Sequence, residues 1–328
     1  MSTRARHREC WLTRTEEPVE KEDKPVEIYG LGSVNSVAFL VDGKHIVSGG
    51  DEGKIRRWQM EDGKEVGTPM DAGSAVCNVS LSQDGRWIVG GLGSGRVAVW
   101  DAESLEQVTE FKAHTNRVNA VDVSPDGKRI ATGSLDDTAC VWSLLTGQRL
   151  LGPLQHNFTV VAAKFSPDGG LVATATFERD SVRIYDGQNG HLLADFPIKV
   201  GSCFNGSLAW DRDSKRLFAL SRDGHINYLD VSNGTALSKW RIHKTIDGGC
   251  VALSGNGRFV AASGELWVSF WDTTTHKQIG SVIERDAAVY SMTMSPSHTL
   301  LMGGLLTISL RTLPDILPSS YFVDVSVL

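Results

Sequence analysis

Four Asp-Gly dipeptides stand 42 residues apart along this chain, at Asp42-Gly43, Asp84-Gly85, Asp126-Gly127 and Asp168-Gly169. The spacing continues at Asp213-Ser214, Asn256-Gly257 and Ser297-His298, with steps of 45, 43 and 41. A second mark keeps pace: Trp58-Gln59, Trp100-Asp101, Trp142-Ser143, Tyr185-Asp186, Leu229-Asp230, Trp271-Asp272 and Leu310-Arg311. Two marks held in phase over seven cycles make the chain a repeat array, in which each cycle is one supersecondary unit that needs its neighbours to bury its faces.

The third cycle shows what the unit is. Val118-Asn119-Ala120-Val121-Asp122-Val123 reads as a half-buried strand, and Ser124-Pro125-Asp126-Gly127 as a turn in which Gly supplies a positive φ and Pro presets its own. Arg129–Gly133 and Thr138–Trp142 are further short strands, separated by Leu135-Asp136-Asp137, and Arg149-Leu150-Leu151 follows Leu145-Thr146-Gly147-Gln148 as a fourth. Four short strands joined by tight turns form an antiparallel meander. Such sheets bury both faces by standing side by side around an axis, which gives an all-β, seven-bladed propeller.

These residues resemble the WD40-repeat family over roughly residues 25–311. The resemblance implies a hydrogen-bonded tetrad of a His before the innermost strand, a Ser or Thr in the second strand, an Asp in the second turn and the Trp of the third strand. His114, Thr132, Asp136 and Trp142 match it in the third cycle. Elsewhere the pattern is worn. The first cycle has Ser48 and Trp58 but Glu52 for Asp and Gly30 for His; the fourth keeps His156 with Tyr185 for Trp; the fifth keeps Asp223; the sixth has Trp271 with His243 displaced by one residue.

Strand-like Val26–Tyr29 precedes the first cycle, while the seventh offers only three strands, near Val289–Met294, Leu300–Met302 and Thr307–Leu310. In the family an N-terminal strand completes the last blade, so pairing near Ile308 is expected. Tyr321–Val325 is also strand-like and competes for the slot. The domain reading is a flexible N-terminal tail over 1–24, the propeller over 25–311, and a C-terminal tail over 312–328 with that extra strand as an alternative.

No apolar run approaches the ~18 residues a membrane span needs, and no apolar signal core follows the start. Five well-separated cysteines (10, 77, 140, 203 and 250) fit reduced thiols, so a cytoplasmic or nuclear protein is expected. The net charge of −6, with both signs interspersed, gives no global case for nucleic acid. Arg4, Arg6, Arg8 and Arg14 precede an acidic run from Glu16 to Asp23, which reads as a self-neutralising tail. The sequons at Asn78, Asn157, Asn205 and Asn233 read as polar turn and strand-edge residues.

No chemistry emerges. Gly91-Leu92-Gly93-Ser94-Gly95 leads into a strand where a phosphate-binding loop needs a helix N-terminus, and reads as a turn. Asp211-Arg212-Asp213 is an incomplete metal site on a hairpin, and no Cys/His spacing suits zinc. His114 beside Asp136 is read as structural. Neither enzyme activity nor a cofactor or metal is expected.

Recognition remains, with a protein or peptide as the partner of a chain that is itself monomeric within a larger complex. The expected face carries the inter-blade loops and second turns, centred on blades three to five. There Asn116 and Arg117 are followed by Phe158 and Phe204 at like places in the next blades, and a lengthened turn sets Phe177 at the rim. Aromatic anchors of this kind suit a binding patch, unless they tuck inward to replace missing tetrad packing. An RNA-binding propeller using Arg117, Arg183 and aromatic stacking is the alternative. A ubiquitin-ligase substrate receptor is disfavoured, because Trp100-Asp101 runs into Ala102-Glu103 and Trp271-Asp272 into Thr273-Thr274, without the W-D-x-R signature.

Overall fold

The computed structural model describes residues 25–29, 32–177, 182–201, 206–246 and 248–322. Seven four-stranded antiparallel sheets stand around a central channel. Six use consecutive strands, over 34–71, 76–112, 118–155, 160–196, 208–241 and 251–284; the seventh takes three strands from 289–312 and its outermost from Val26–Tyr29. The seven-bladed all-β fold expected from the two sequence marks is therefore the fold observed.

The Asp-Gly turns follow from side-chain chemistry. In blade three Gly127 has φ +68° and its N–H bonds the Ser124 carbonyl at 2.8 Å. The Ser124 hydroxyl donates to Asp126 at 2.5 Å, and Asp126 accepts the Lys128 N–H at 3.1 Å. Where the glycine is lost the geometry persists: Ser214 and His298 hold φ of +58° and +63°, a left-handed backbone that disfavours residues with a Cβ.

A second set of hydrogen bonds joins blade to blade around the channel. Ser291 Oγ accepts the Val37 N–H (3.2 Å), Ser36 Oγ that of Val79 (3.0 Å), and Asn78 Oδ1 that of Val121 (2.9 Å). Nearer the Asp-Gly face, Ser80 Oγ accepts the Val123 N–H at 3.3 Å and Asp122 Oδ2 that of Phe165 at 2.9 Å. Each bond satisfies a main-chain donor on an innermost strand, which has a ladder partner on one side only. Between them the apolar core fills the seams: Val161, Ala173 and Ile184 of blade four share a cluster with Leu208, Leu217 and Leu229 of blade five.

Val26–Tyr29 pairs antiparallel with the last strand in the register Ile28↔Ile308 and Val26↔Leu310, as expected. Ile28 and Ile308 are buried with Trp58 and Val37, and Glu27 accepts from Arg285 (3.1 Å) and Ser309 (2.6 Å). The competing strand at Tyr321–Val325 is not what the described part shows. Leu313–Asp315 and Ser319–Tyr321 are short 3-10 turns, and 323–325 lie outside the described residues. The slot beside the last strand is already filled by Val26–Tyr29. The segment folds instead across the Asp-Gly face of blade six. Asn256 and Arg258 donate to the Tyr321 and Ser320 carbonyls, both at 2.7 Å, the Tyr321 hydroxyl donates to Asp272 at 2.9 Å, and Phe322 packs on Phe259.

Candidate functional site

On the face opposite the Asp-Gly turns, the structure joins His114, Thr132, Asp136 and Trp142 in one hydrogen-bonded chain. Trp142 Nε1 donates to Thr132 Oγ1 at 2.9 Å, and Thr132 Oγ1 lies 2.7 Å from His114 Nε2. His114 Nδ1 is 3.1 Å from the Asp136 carboxylate, which also accepts the Thr138 hydroxyl (2.7 Å) and the Thr115 N–H (2.9 Å). Burial pushes His114 below its ordinary 6.5 against the pull of Asp136. The ring is therefore neutral at pH 7, and the network assigns its proton to Nδ1 so that Nε2 accepts from Thr132. Burial alone raises the Asp136 carboxyl, but its Thr138, His114 and Thr115 donors hold it low. Every member is satisfied within the protein, so the four side chains form one connected polar network tying strand, turn and loop together.

The other blades carry fragments. In blade one Trp58 still donates to Ser48 at 2.8 Å, while Glu52 turns outward to Arg56; Gly30 lies outside the described residues. In blade four His156 Nε2 sits 3.4 Å from both Thr174 Oγ1 and Tyr185 OH, a looser arrangement, and burial followed by Arg183 brings its pKa to about 4. Asp223 of blade five serves Ser221 (2.5 Å) and Lys239 (3.0 Å); burial opposes its ionisation, yet these donors bring it to about 2. In blade six Trp271 donates to Ser269, and the displaced His243 instead lies tilted against Trp267, with ring centroids 5.1 Å apart.

The residues expected to bind a partner separate on inspection. Asn116 is exposed, and its Oδ1 accepts the Arg117 N–H at 2.8 Å. Arg117 is half-buried, with its guanidinium near Cys77 of blade two and its carbonyl accepting from Leu135 and Ser134. Phe158 is half-buried, and Phe204 lies outside the described residues. Phe177 does not stand out at the rim: it pairs with Val200 and packs on the cluster shared by blades four and five. The inter-blade segment at Ile198–Val200 runs beside it, so the ring fills a seam.

Sequence reasoning missed two clefts on this face. The first, about 510 Å³, lies over blade five between Ile198, Lys199, Arg222, Asp223, Lys239 and Thr245. The second, about 350 Å³, continues from Thr245 to His243, Ile246, Glu265, Leu266 and Trp267. Lys199, Arg222 and Lys239 in the lining of the first are all exposed, and Lys239 pairs with Asp223 at 3.0 Å. The sequence alone could not place it, since Lys199, Arg222 and Lys239 are scattered along the chain and only the fold brings them to one cleft.

For chemistry the inventory is thin. Cys77, Cys140 and Cys250 are buried free thiols, and burial pushes Cys140 up to about 11, away from nucleophilic use. Among the described residues no group of three or more His, Cys, Asp or Glu side chains gathers as metal ligands. Asp211 accepts the Tyr228 hydroxyl at 2.9 Å and Asp213 accepts turn N–H groups, so this pair is engaged structurally. No helix among the described residues is long and apolar enough to cross a membrane.

The family model for the WD40 repeat (WD domain, G-beta repeat) matches residues 25–59, 63–101 and 105–143. Each matched stretch runs from an outermost strand to the Trp-bearing strand of the next blade, and together they take in the intact tetrad. No curated protein matches the chain.

Proposed function

Because the chain belongs to the WD40-repeat family, we propose that it works as a non-enzymatic scaffold that holds a protein or peptide partner on the inter-blade-loop face. The asymmetry of the two faces carries this reading. Both clefts open on the inter-blade-loop face, together with the exposed apolar side chains Tyr29, Leu135, Leu266, Leu305 and Leu306. On the opposite side Val41, Leu145 and, at the start of an outermost strand, Leu192 are exposed, and the C-terminal segment covers part of that face. A stiff ring with its sticky side chains on one face suits binding by preformed loops. Asn116, Arg117 and Phe158 belong to the same surface, with Phe204 assigned to it by sequence position alone.

Affinity capture from cell extract, quantified by mass spectrometry, tests the face. The variant Leu305→Asp/Leu306→Asp is expected to lose the captured proteins, and Val41→Asp/Leu145→Asp to keep them, with equal melting temperatures. Losses confined to the second variant sink the assignment.

A further inference from the structure

We infer that residues 4–14 of this chain dock on its own inter-blade-loop face, across the second turns of blades six and seven. The docking goes beyond the scaffold reading and rests on it only where the segment competes with a partner.

The surface is apolar with a rim of carboxylates. Leu305 and Leu306 are exposed in the second turn of blade seven, Tyr29 is exposed at the end of the strand beside it, and Leu266 is exposed in the second turn of blade six. One loop joins them. Arg285 N–H donates to the Leu266 carbonyl and Val289 N–H to the Glu265 carbonyl, both at 2.8 Å. The same loop closes on Gly304 through the Ala288 carbonyl and reaches Thr307, the ladder partner of Tyr29, through the Arg285 guanidinium. The cleft of about 350 Å³ beside half-buried Trp267 gives this surface a recess. Leu306 has a φ of +64° at the place before the third strand where blades one, two and five have Gly53, Gly95 and Gly224. The left-handed backbone disfavours a large side chain, and one that is 53% exposed gains little packing in return.

Charge selects the occupant. Glu265 lines the cleft, Glu284 is the ladder partner of Trp267, and Asp286 sits in the joining loop. All three are exposed and have no hydrogen-bond or ion-pair partner among the described residues. Of the cations at the margin, Arg285 is held by Glu27 at 3.1 Å, and Arg241 by the His243 and Lys244 carbonyls at 3.0 and 3.2 Å; Lys244 is exposed on the blade-five side. The surface therefore suits a basic segment with apolar anchors. Residues 4–14, which lie outside the described residues, carry Arg4, Arg6, Arg8 and Arg14 against Glu9, with Trp11-Leu12 among them. The acidic run over 16–23 is nearer in sequence to these arginines, but it offers no apolar surface to Trp11 and Leu12. Reach is ample. Residues 15–24 extend up to roughly 33 Å, against about 13 Å along the four-residue strand Val26–Tyr29 that separates their end from this face.

Photo-cross-linking in the full-length chain tests the inference, with Leu12 replaced by a benzophenone amino acid and the products mapped by mass spectrometry. Cross-links are expected at 265–267 and 304–307, with a yield independent of protein concentration and reduced by high salt. Glu265→Lys/Glu284→Lys/Asp286→Lys is expected to cut that yield at least about tenfold. Leu306→Gly is expected to cut it too while melting no lower than the parent, which separates lost docking from lost folding. Cross-links confined to 16–23, spread over the whole surface, formed only between two copies at high concentration, or indifferent to these variants overturn the inference. Capture from extract keeps the two readings apart. Arg4→Glu/Arg6→Glu/Arg8→Glu is expected to free the face and raise capture. If cross-linking fails while Leu305→Asp/Leu306→Asp still loses capture, the docked segment falls and the scaffold face stands. If cross-links map as expected while capture is unchanged in both variants, the docked segment stands and the scaffold face falls.

Discussion

At the residue scale, stability concentrates where a polar chain is complete. Thr132 Oγ1 receives Trp142 Nε1–H and faces His114 Nε2. Thr132→Val leaves two buried polar atoms without partners and is expected to cost ~1–3 kcal/mol. Trp142→Ala is expected to cost ~3–5 kcal/mol, more than Leu229→Ala, which removes fewer atoms and breaks no polar network. Urea melts check the ranking; equal losses at 142 and 229 contradict it. His156 carries a separate, pH-dependent share. Its pKa falls from the ordinary 6.5 to about 4 in the fold, through burial and then Arg183, so the folded state resists a proton that the unfolded chain accepts. That stability is whole above pH 6.5 and drains away as pH falls toward about 4, on the order of 2–3 kcal/mol. His156→Asn should flatten the urea midpoint across this window. Asp223, with a pKa of about 2, titrates below it.

At the element scale, the sequence was most legible where one side chain dictates one turn. The Asp-Gly positions placed all seven inner hairpins, even where Ser214 and His298 replaced glycine, because the flanking strands fix the turn's length. The outermost strands were harder. In blade one that strand shrinks to Met70–Asp71 after Gly67-Thr68-Pro69, which supplies one fewer donor and a positive φ at Gly67, and in other blades its register slips by a bulge. The bonds around the channel were not legible at all. Ser36, Asn78 and Asp122 alternate with apolar neighbours as any half-buried strand would, and only the ring tells which side faces the next blade. The candidate site divides the same way. Phe177 was visible as an extra ring in a turn, but whether it faces solvent or a seam depends on Val200. Lys199, Arg222 and Lys239 come from an inter-blade loop, a turn and an outermost strand, and they meet at one cleft only once the meander is folded.

At the scale of the whole molecule, the ring is shut by contacts between its ends. Glu27 and Ser309, 282 residues apart in sequence, share a 2.6 Å hydrogen bond, and Ile28 is buried against the last blade. Ile28→Ala is expected to cost ~2–4 kcal/mol and to open blade seven before the others. Hydrogen exchange should then accelerate at Thr307–Thr312 while Thr138–Ser143 of blade three stays protected; uniform acceleration would mean that the seam is not the weak joint. The clasp also sets an order of events during synthesis. Val26–Tyr29 is made before the six intervening blades and its partner Thr307–Leu310 after them, so it must wait, unpaired, while those blades assemble. A chain lacking the segment from Thr307 onward is thus an open arc with an exposed edge at Thr299–Gly304 of blade seven and an unclaimed strand at Val26–Tyr29. Both are sites for mispairing with a neighbouring chain, so chaperone protection matters most until Thr307–Thr312 has been made and paired.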